Sequence, residues 1–449
     1  MSASPARRRA LRGPALTFVD DPFRAGPEHA LRYESDALLI VENGRIAAFG
    51  DYASIRHSLR ETDPLDRFGA DCLILPGFVD THVHYPQTQI IGAYGKQLID
   101  WLNDYTFVTE QQFADPVHCR QVAELYLQQC LRNGITTSAV YCTVHPQSVD
   151  AFFEAADALG MRMVAGKVLM DRNAPAALTD TARSGYDDSK ALIARWHGRG
   201  RGLYAITPRF APTSSPEQLE AAAALWKEHP GTYMQTHVSE NRGEIDWVAA
   251  LFPDRSGYLD VYAHYGLLGP RAVLGHGIWL SDAEFAQCHD TGTAIAHCPT
   301  SNLFLGSGLF RLHDARGGPR PVQVGLATDL GGGTSFSPLA TMKAAYQIAQ
   351  LNGRSLSAPE AFWLATRGAA QALQLEDRIG SLAAGQEADL LVLDLRSTPL
   401  IDFRMKYCRG IDDALFVQMI LGDDRATRAT YIAGEPAYIQ DRTGSAAPA

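Results

Sequence analysis

The chain has 449 residues, of which 46% are hydrophobic and 20% charged, as is typical of a globular protein with a large core. A formal net charge of −10 provides no basic surface for a polyanion, which argues against a nucleic-acid polymer as partner. The seven cysteines are scattered without a C-x-x-C pair, and no apolar run is long enough to cross a membrane, so we expect a cytoplasmic protein without a membrane partner.

The first predicted elements are two strands near the N-terminus. Residues 37–50 read ALLIVENGRIAAFG, which is two apolar runs joined at Asn43-Gly44. This dipeptide accepts the positive φ angles of a type I′ turn, so we predict a β-hairpin here.

Between residues 70 and 379, short apolar runs alternate with helical stretches. This alternation favours parallel strands joined by crossover helices over hairpins, and eight such runs predict an α/β fold with a closed (β/α)8 barrel of the TIM type as the catalytic domain. The predicted barrel strands cover residues 73–79, 135–142, 161–169, 202–207, 232–236, 272–274, 293–296 and 324–327.

Strand-like segments return after the barrel. Residues 388–394 and 429–438 are rich in apolar and β-branched residues, with a turn predicted at Ala433-Gly434. The two ends of the chain can share one sheet, so we predict a small β-sandwich domain formed by residues 1–69 and 380–449.

Side chains that can bind a metal stand at the ends of several predicted barrel strands. The first strand leads into DTHVH at residues 80–84, and the alternation of an extended backbone points His82 and His84 the same way. The fifth strand leads to His237, the sixth to His276 and the eighth to Asp329. Because the C-terminal ends of barrel strands meet at one mouth, these side chains are predicted to converge, and imidazoles with a carboxylate suit zinc.

Residues 76–84, PGFVDTHVH, resemble the opening motif of the amidohydrolase superfamily, whose members are metal-dependent barrel hydrolases. Within that superfamily, other segments resemble the members that deaminate purine bases, namely YPQ at 85–87, DWLN at 100–103, YTF at 105–107, PRF at 208–210, HVSEN at 237–241 and HCPTSN at 297–302. The resemblance is weakest at the two chain ends. It implies a homodimeric enzyme that hydrolyses guanine, a small purine substrate, to xanthine and ammonia.

The resemblance also implies one zinc ion per chain, held by His82, His84, His237 and Asp329. A second metal bridged by a carboxylated lysine is not expected, because PRF at 208–210 stands at the end of the fourth strand, where that lysine would lie. With four ligands assigned, His297 of the HCPTSN segment is expected to have a structural role or to lie at the rim of the site.

Three residues are predicted to move protons or polarise the substrate. Glu240 lies three residues beyond His237, where its carboxylate can take a proton from an attacking water and pass it to N3 of guanine. The alternative interpretation of Glu240 is a solvated glutamate at the start of a helix. Asp329 is predicted to orient the water as well as bind the metal, and His276 to polarise the site, although His276 can also be read as a core histidine.

Five residues are candidates for binding the purine. A guanidinium beside a side-chain amide can bond the carbonyl oxygen and ring nitrogens of guanine, which favours Arg209 and Gln87. Phe210 can stack on the ring, and Trp101 and Leu102 can wall the pocket. Ordinary core packing is the competing interpretation for these apolar residues.

Three other functions are alternatives to this interpretation. A deaminase of the same fold that acts on 8-oxoguanine, isoguanine or an aminotriazine would need a different polar set around Arg209. A barrel that has lost catalysis and serves as a scaffold would lack ligands that this chain retains. The cytidine-deaminase fold carries His-x-Glu and Pro-Cys-x-x-Cys signatures, neither of which occurs in this sequence.

Overall fold

A computed structural model describes residues 7–95 and 97–441 of the chain. Within these residues the strands form two sheets, one a parallel barrel and the other assembled largely from the two ends of the chain. In chain order the described strands are β1 (Arg8–Phe18), β2 (Leu31–Glu42), β3 (Arg45–Asp51), β4 (Leu65–Arg67), β5 (Cys72–Pro76), β6 (Phe78–His84), β7 (Ile135–Tyr141), β8 (Arg162–Gly166), β9 (Val168–Leu169), β10 (Leu203–Pro208), β11 (Tyr233–Val238), β12 (Ala272–His276), β13 (Ala294–His297), β14 (Val324–Leu326), β15 (Leu390–Asp394), β16 (Thr427–Ile432) and β17 (Glu435–Ile439).

Several helices begin at a polar residue that accepts a hydrogen bond from the first turn. Ser357 and Glu360 form a complete capping box of this kind. In the described part of the chain, no helix combines the length and the apolar composition needed to cross a lipid bilayer. The described α-helices are Pro22–Ala25, Pro27–Ala30, Tyr52–Ile55, Leu98–Trp101, Phe107–Glu110, Pro116–Arg132, Pro146–Ala158, Ala182–Trp196, Pro216–Glu228, Arg242–Leu251, Tyr258–His264, Asp282–Thr291, Pro299–Phe304, Leu312–Arg316, Pro338–Leu351, Ala358–Leu364, Arg367–Ala372, Pro399–Met405 and Ile411–Leu421.

The barrel sheet contains eight parallel strands in the order β6, β7, β8, β10, β11, β12, β13 and β14, with β9 beside β10. Helices join successive strands, and their buried apolar residues pack against the outer face of the sheet. This arrangement confirms the predicted (β/α)8 barrel. The C-terminal ends of all eight strands therefore surround one mouth, where the side chains of the site meet.

Hydrogen bonds join the segment that follows β14 to β6, the two ends of the strand order. The backbone N–H of Asp329 donates to the carbonyl oxygen of His82 at 3.0 Å. Thr328 donates to the buried Asp80 carboxylate from its backbone N–H at 3.0 Å and from its hydroxyl at 2.5 Å. Because His82 and Asp329 flank these contacts, the closure of the barrel fixes two residues of the site relative to each other.

We expect Thr328→Val to lower the free energy of unfolding by roughly 1–3 kcal/mol, because the buried Asp80 carboxylate loses a donor while the side-chain volume hardly changes. Urea unfolding at neutral pH measures the difference. Thr341→Val is the matched control, since the buried Thr341 hydroxyl bonds only a carbonyl oxygen within its own helix. Equal losses in the two variants would mean that the hydroxyl of Thr328 has no special role in closing the barrel.

The second sheet has the strand order β17, β16, β15, β5, β1, β2 and β3, with β4 beside β1. It joins the first and last described strands, which confirms the prediction that the two ends of the chain share one sheet. Its hairpins turn at the two predicted dipeptides, with φ angles of 52° and 79° at Asn43 and Gly44 and of 48° and 78° at Ala433 and Gly434.

The prediction that residues 73–79 form one barrel strand was wrong, because the run divides at Gly77. Its first half is β5 in the second sheet, and its second half begins β6 in the barrel. The Gly77 N–H donates to the carbonyl oxygen of Asp389 at 2.9 Å, and a Cβ at Gly77 would lie 2.2 Å from the Thr136 hydroxyl. Glycine thus permits the close approach at which the chain passes from one sheet to the other.

Candidate active site

The mouth of the barrel contains a cavity, the position at which barrel enzymes bind their substrates. Of the predicted site residues, all but His82 line it, and His82 is buried directly against Asp329. The lining consists of His84, Gln87, Leu98, Trp101, Leu102, Thr106, Arg209, Phe210, His237, Glu240, Glu244, His276, Leu305, Asp329 and Gly332.

Three imidazoles and one carboxylate come together at one end of this cavity. Strand β6 supplies His82 and His84, strand β11 supplies His237, and Asp329 follows β14. The Nε2 atoms of His84 and His237 are 3.0 Å apart. Asp329 Oδ1 lies 3.3 Å from His82 Nε2 and 3.5 Å from His84 Nε2. His82, His84 and His237 form a group whose ligand atoms could hold a metal ion, and Asp329 belongs to a neighbouring group that shares His82.

The protonation of the three imidazoles fits a metal centre. Burial lowers the pKa of His82, and it holds the pKa values of His84 and His237 well below their usual range. Neutral rings offer lone pairs to a cation, and two such rings with Nε2 atoms in contact gain from a cation between them. His82, buried among described residues, makes no hydrogen bond to them through either ring nitrogen. This donor set of nitrogens and one carboxylate matches the ligands that zinc prefers.

The orientation of His237 is fixed by the main chain of Arg209. The Nδ1 atom of His237 lies 2.6 Å from the Arg209 carbonyl oxygen, so Nδ1 carries the proton and donates it. The Nε2 lone pair is then left for the metal-binding group, in the arrangement usual for histidine ligands.

Cys298 lies close to His82, His276 and Asp329 and forms a second group of possible ligand atoms with them. Burial raises the pKa of the Cys298 thiol to about 11. Since the ionised thiolate is the form that binds metals, and since Cys298 Sγ contacts the Ala296 carbonyl oxygen at 3.4 Å, this cysteine is better described as a core residue.

Glu240 is buried beside the metal-binding group. Its Oε2 atom lies 3.3 Å from His276 Nε2, and its Oε1 atom accepts a hydrogen bond from the Ser307 hydroxyl at 3.1 Å. The backbone N–H of Glu240 donates to the buried Glu244 carboxylate at 3.0 Å. Only 2% of Glu240 is exposed, which contradicts its interpretation as a solvated residue. Burial raises the pKa of this carboxyl group, a property common among residues that transfer protons.

His276 faces the cavity between two carboxylates. Its Nδ1 atom lies 2.9 Å from the Asn302 side-chain oxygen, and its Nε2 atom lies 3.8 Å from Asp329 Oδ2. Burial lowers the pKa of His276, but the charge of Glu240, with Cys298 and Asp329, outweighs burial and raises it well above its ordinary value. Its position in the lining of the cavity contradicts the interpretation of His276 as a plain core histidine.

Backbone strain is concentrated at the strand ends that form the site. Ser239, His276 and Asp329 have φ angles of 48°, 70° and 45°, in the left-handed region that non-glycine residues rarely adopt. Each such conformation costs on the order of 1–3 kcal/mol and persists where the surrounding structure imposes it. The barrel therefore holds these residues in fixed directions.

The opposite wall of the cavity comes from the segment after β6 and from the end of β10. Gln87 lies in a short helical turn, Tyr85–Ile90, while Trp101 and Leu102 lie where the helix Leu98–Trp101 continues into a wider helical turn. Trp101 lines the cavity and also packs in an apolar cluster with Phe210.

Glu110 is a buried partner of Arg209 that sequence patterns did not identify. Its carboxylate accepts hydrogen bonds from Arg209 Nη1 at 3.0 and 2.8 Å and lies 3.4 Å from Gln87 Nε2. Burial raises the pKa of Glu110, while the charge and hydrogen bonds of Arg209 oppose this shift. Glu110 and Arg209 are 99 residues apart, and no local motif signals the pairing.

His297, expected to have a structural role or to lie at the rim of the site, lies away from the cavity lining. His297 is buried against Phe310, with ring centroids 4.9 Å apart, and burial lowers its pKa to about 3. Lys167, a buried lysine in the third barrel unit, is 2.5 Å from Asp180. The residue that follows the fourth barrel strand is Arg209, as the sequence indicated, so a bridging lysine is absent from that position.

Known proteins resemble this chain over most of its length. Residues 73–436 match the model of the amidohydrolase family. The chain is similar to guanine deaminase of Escherichia coli K12, with 50% identity over 433 residues that cover 96% of this chain and 98% of that protein. The solved structure of E. coli guanine deaminase has a TM-score of 0.94 at 48% identity and covers 96% of this chain and 100% of that one. Guanine deaminase from Bradyrhizobium japonicum gives a TM-score of 0.94 at 37% identity, with coverage of 97% and 100%.

Proposed function

The chain belongs to the amidohydrolase family, and we propose that it acts as a guanine deaminase that hydrolyses guanine to xanthine and ammonia. One observation carries this proposal. A metal-binding group, a buried glutamate and an arginine beside a glutamine all face a single cavity. The similarity to guanine deaminases extends over nearly the whole chain, which supports the same chemistry here.

We assign one zinc ion per chain to His82, His84, His237 and Asp329. Zinc bound there would supply the Lewis acidity that makes a water molecule a nucleophile near neutral pH. The remaining chemistry belongs to side chains. Glu240 accepts a proton from the water that attacks C2 and delivers it to N3, while Ser307 holds the carboxylate in place through Oε1.

Asp329 and His276 complete the proton transfers. The second carboxylate oxygen of Asp329 faces His276 Nε2, so it can orient the attacking water and later assist protonation of the leaving amine. His276 donates from Nε2 toward Glu240 and Asp329 and limits the repulsion between these two carboxylates. Side chains that are already oriented thus stabilise the charge that develops on the purine ring during the reaction.

The opposite wall binds the purine. Arg209 donates to the carbonyl oxygen at C6, and Gln87 contacts the ring nitrogen beside it. Phe210 stacks on the ring, and Trp101 and Leu102 exclude water from its other sides. This arrangement directs C2 of guanine toward the metal-binding group.

Purified protein should contain about one zinc per chain and release ammonia from guanine, because three imidazoles and one carboxylate complete a single site. Elemental analysis before and after chelation, with ammonia release measured on the same samples, tests this. Readdition of zinc controls for irreversible damage by the chelator. Two tightly held metals per active chain, or full activity after complete metal removal, would contradict the assignment.

We further propose that the enzyme is a cytoplasmic homodimer, as the family resemblance implies. The proposed units are the catalytic barrel at residues 70–379 and the small β domain at residues 1–69 and 380–449. The pairing of β15 with β5, Cys72–Pro76, extends the first segment of the small β domain beyond residue 69, to the division at Gly77. Sedimentation of the purified protein would test the dimer.

A further inference from the structure

Glu110 lies behind the wall that faces the substrate. It is fully buried at 0% exposure, and it does not line the cavity, whereas its partners Arg209 and Gln87 both do. Any influence of Glu110 on a ligand must therefore pass through these two side chains.

The Arg209 guanidinium is held at one end and along one face. Both carboxylate oxygens of Glu110 accept from Nη1, at 3.0 and 2.8 Å. The ring of Phe107, one helical turn before Glu110, lies 5.7 Å from the guanidinium carbon. The short helix Phe107–Glu110 thus fixes the position of the guanidinium. Because the group is planar, this also fixes the directions of its other N–H groups.

The Gln87 amide is oriented by the same carboxylate. A carboxylate only accepts hydrogen bonds, so the NH₂ side of the amide faces Glu110, at 3.4 Å, and the carbonyl oxygen points away. That oxygen lies beside Gly331, where an added Cβ would fall 2.3 Å from it. Gly331, with φ of 114°, leaves room for this orientation of the amide.

We propose that Glu110 is a positioning residue that, through Arg209 and Gln87, makes the pocket select bases with a carbonyl at C6 and a hydrogen on N1. This inference rests on the proposed function. Arg209 presents donors to the carbonyl oxygen, and the Gln87 oxygen accepts from N1–H. A 6-aminopurine such as adenine offers a donor and an acceptor in the reverse order, so neither contact forms.

The matched test is Glu110→Gln, which keeps the size of the side chain and removes its charge. The new amide has a donor face, so Gln87 is free to turn its own NH₂ group toward the cavity. We expect KM for guanine to rise about 10- to 100-fold, in line with loss of charged hydrogen bonds, while kcat changes much less. The inhibition constant of hypoxanthine should rise to a similar degree, while that of adenine should not. The preference of the enzyme for hypoxanthine over adenine therefore becomes smaller.

Glu387→Gln is the control variant. Glu387 is also a buried glutamate paired with arginines, with Oε2 accepting from Arg162 Nε at 2.8 Å, but it lies outside the cavity lining. This change should lower stability without altering KM or the preference for hypoxanthine over adenine. Glu110→Asp retains the charge and should preserve more of that preference than Glu110→Gln.

The outcomes separate this inference from the proposed function. A zinc-loaded wild-type protein that does not deaminate guanine would overturn the proposed function. An active wild type whose folded, zinc-loaded Glu110→Gln variant keeps the wild-type KM and inhibitor preference would overturn only the role of Glu110. If Glu110→Gln does not fold, Glu110→Asp carries the test, because its shorter side chain draws the carboxylate away from Arg209 and Gln87. A raised KM and a smaller preference for hypoxanthine over adenine support the role, and wild-type values overturn it.

Discussion

Glu240→Gln is expected to reduce kcat for guanine by about 10⁴-fold, the upper end of the contribution of a general acid–base group. The amide has nearly the size of the carboxylate and can still accept from the Ser307 hydroxyl, which contacts Oε1 at 3.1 Å. It cannot take a proton from water or deliver one to N3. Because one group serves both steps, its loss affects the attack and the protonation of the ring.

Binding should survive this substitution better than catalysis does, since Glu240 lies on the metal side of the cavity and Arg209 and Gln87 lie on the other. KM for guanine and the zinc content of the same sample separate a lost proton carrier from a lost ligand. Glu360→Gln, which alters a helix-capping glutamate in the same barrel, serves as the control and should stay near wild-type activity.

A zinc-loaded Glu240→Gln variant that deaminates guanine within a few-fold of wild type would show that Glu240 does not carry the proton. The role would then pass first to Asp329 or to His276, whose Nε2 atom lies within 3.8 Å of an Asp329 oxygen.

The metal-binding group could be predicted from the sequence because two regular features specify it, the alternation of side chains along a strand and the parallel order of the barrel strands. His82 and His84 are two residues apart on β6, so the alternation of a strand turns both rings to one side. His237 and Asp329 are far away in the chain, yet each stands at or just beyond the end of a parallel strand. The topology of a barrel brings all such positions to one mouth, which makes their convergence predictable without any knowledge of side-chain contacts.

The residues that support this group could not be predicted, because none of them belongs to a repeating pattern. Ser307 reaches Glu240 across 67 residues and lies in a loop after a short helix. Glu110 contacts Arg209 from the short helix Phe107–Glu110, in the connection that follows β6. Such pairings depend on how loops pack over the barrel mouth, and a single sequence contains no periodic signal for that packing.

The division of residues 73–79 between two sheets could not be predicted for a similar reason. Its apolar residues fit a continuous buried strand, and nothing in their hydrophobicity distinguishes the sheet to which each half belongs. The only local sign is Pro76-Gly77 within the run, since proline and glycine commonly interrupt regular structure. The close approach of Gly77 to Thr136 supplies the physical reason for glycine at this point.

Arg209→Ala is expected to lower kcat/KM for guanine by roughly 10²–10³-fold, since charged hydrogen bonds to the carbonyl oxygen are lost. The metal site should persist, because His237 bonds the main-chain oxygen of residue 209, at 2.6 Å, and this atom remains in alanine. Stability should fall by about 3–5 kcal/mol, because the buried Glu110 carboxylate is left without its partner.

Arg209→Lys separates the charge of this residue from its geometry. Lysine keeps a cation beside Glu110, so the folded state should be less affected, but it lacks the planar fork and should recover only part of the activity. Specificity constants for guanine and for 2-aminopurine, which lacks the carbonyl group, complete the measurement. Arg209→Ala should affect guanine far more than 2-aminopurine, because only guanine offers an oxygen at C6. Equal losses on both bases would mean that Arg209 does not contact the carbonyl, and another group in the cavity lining would have to bind it.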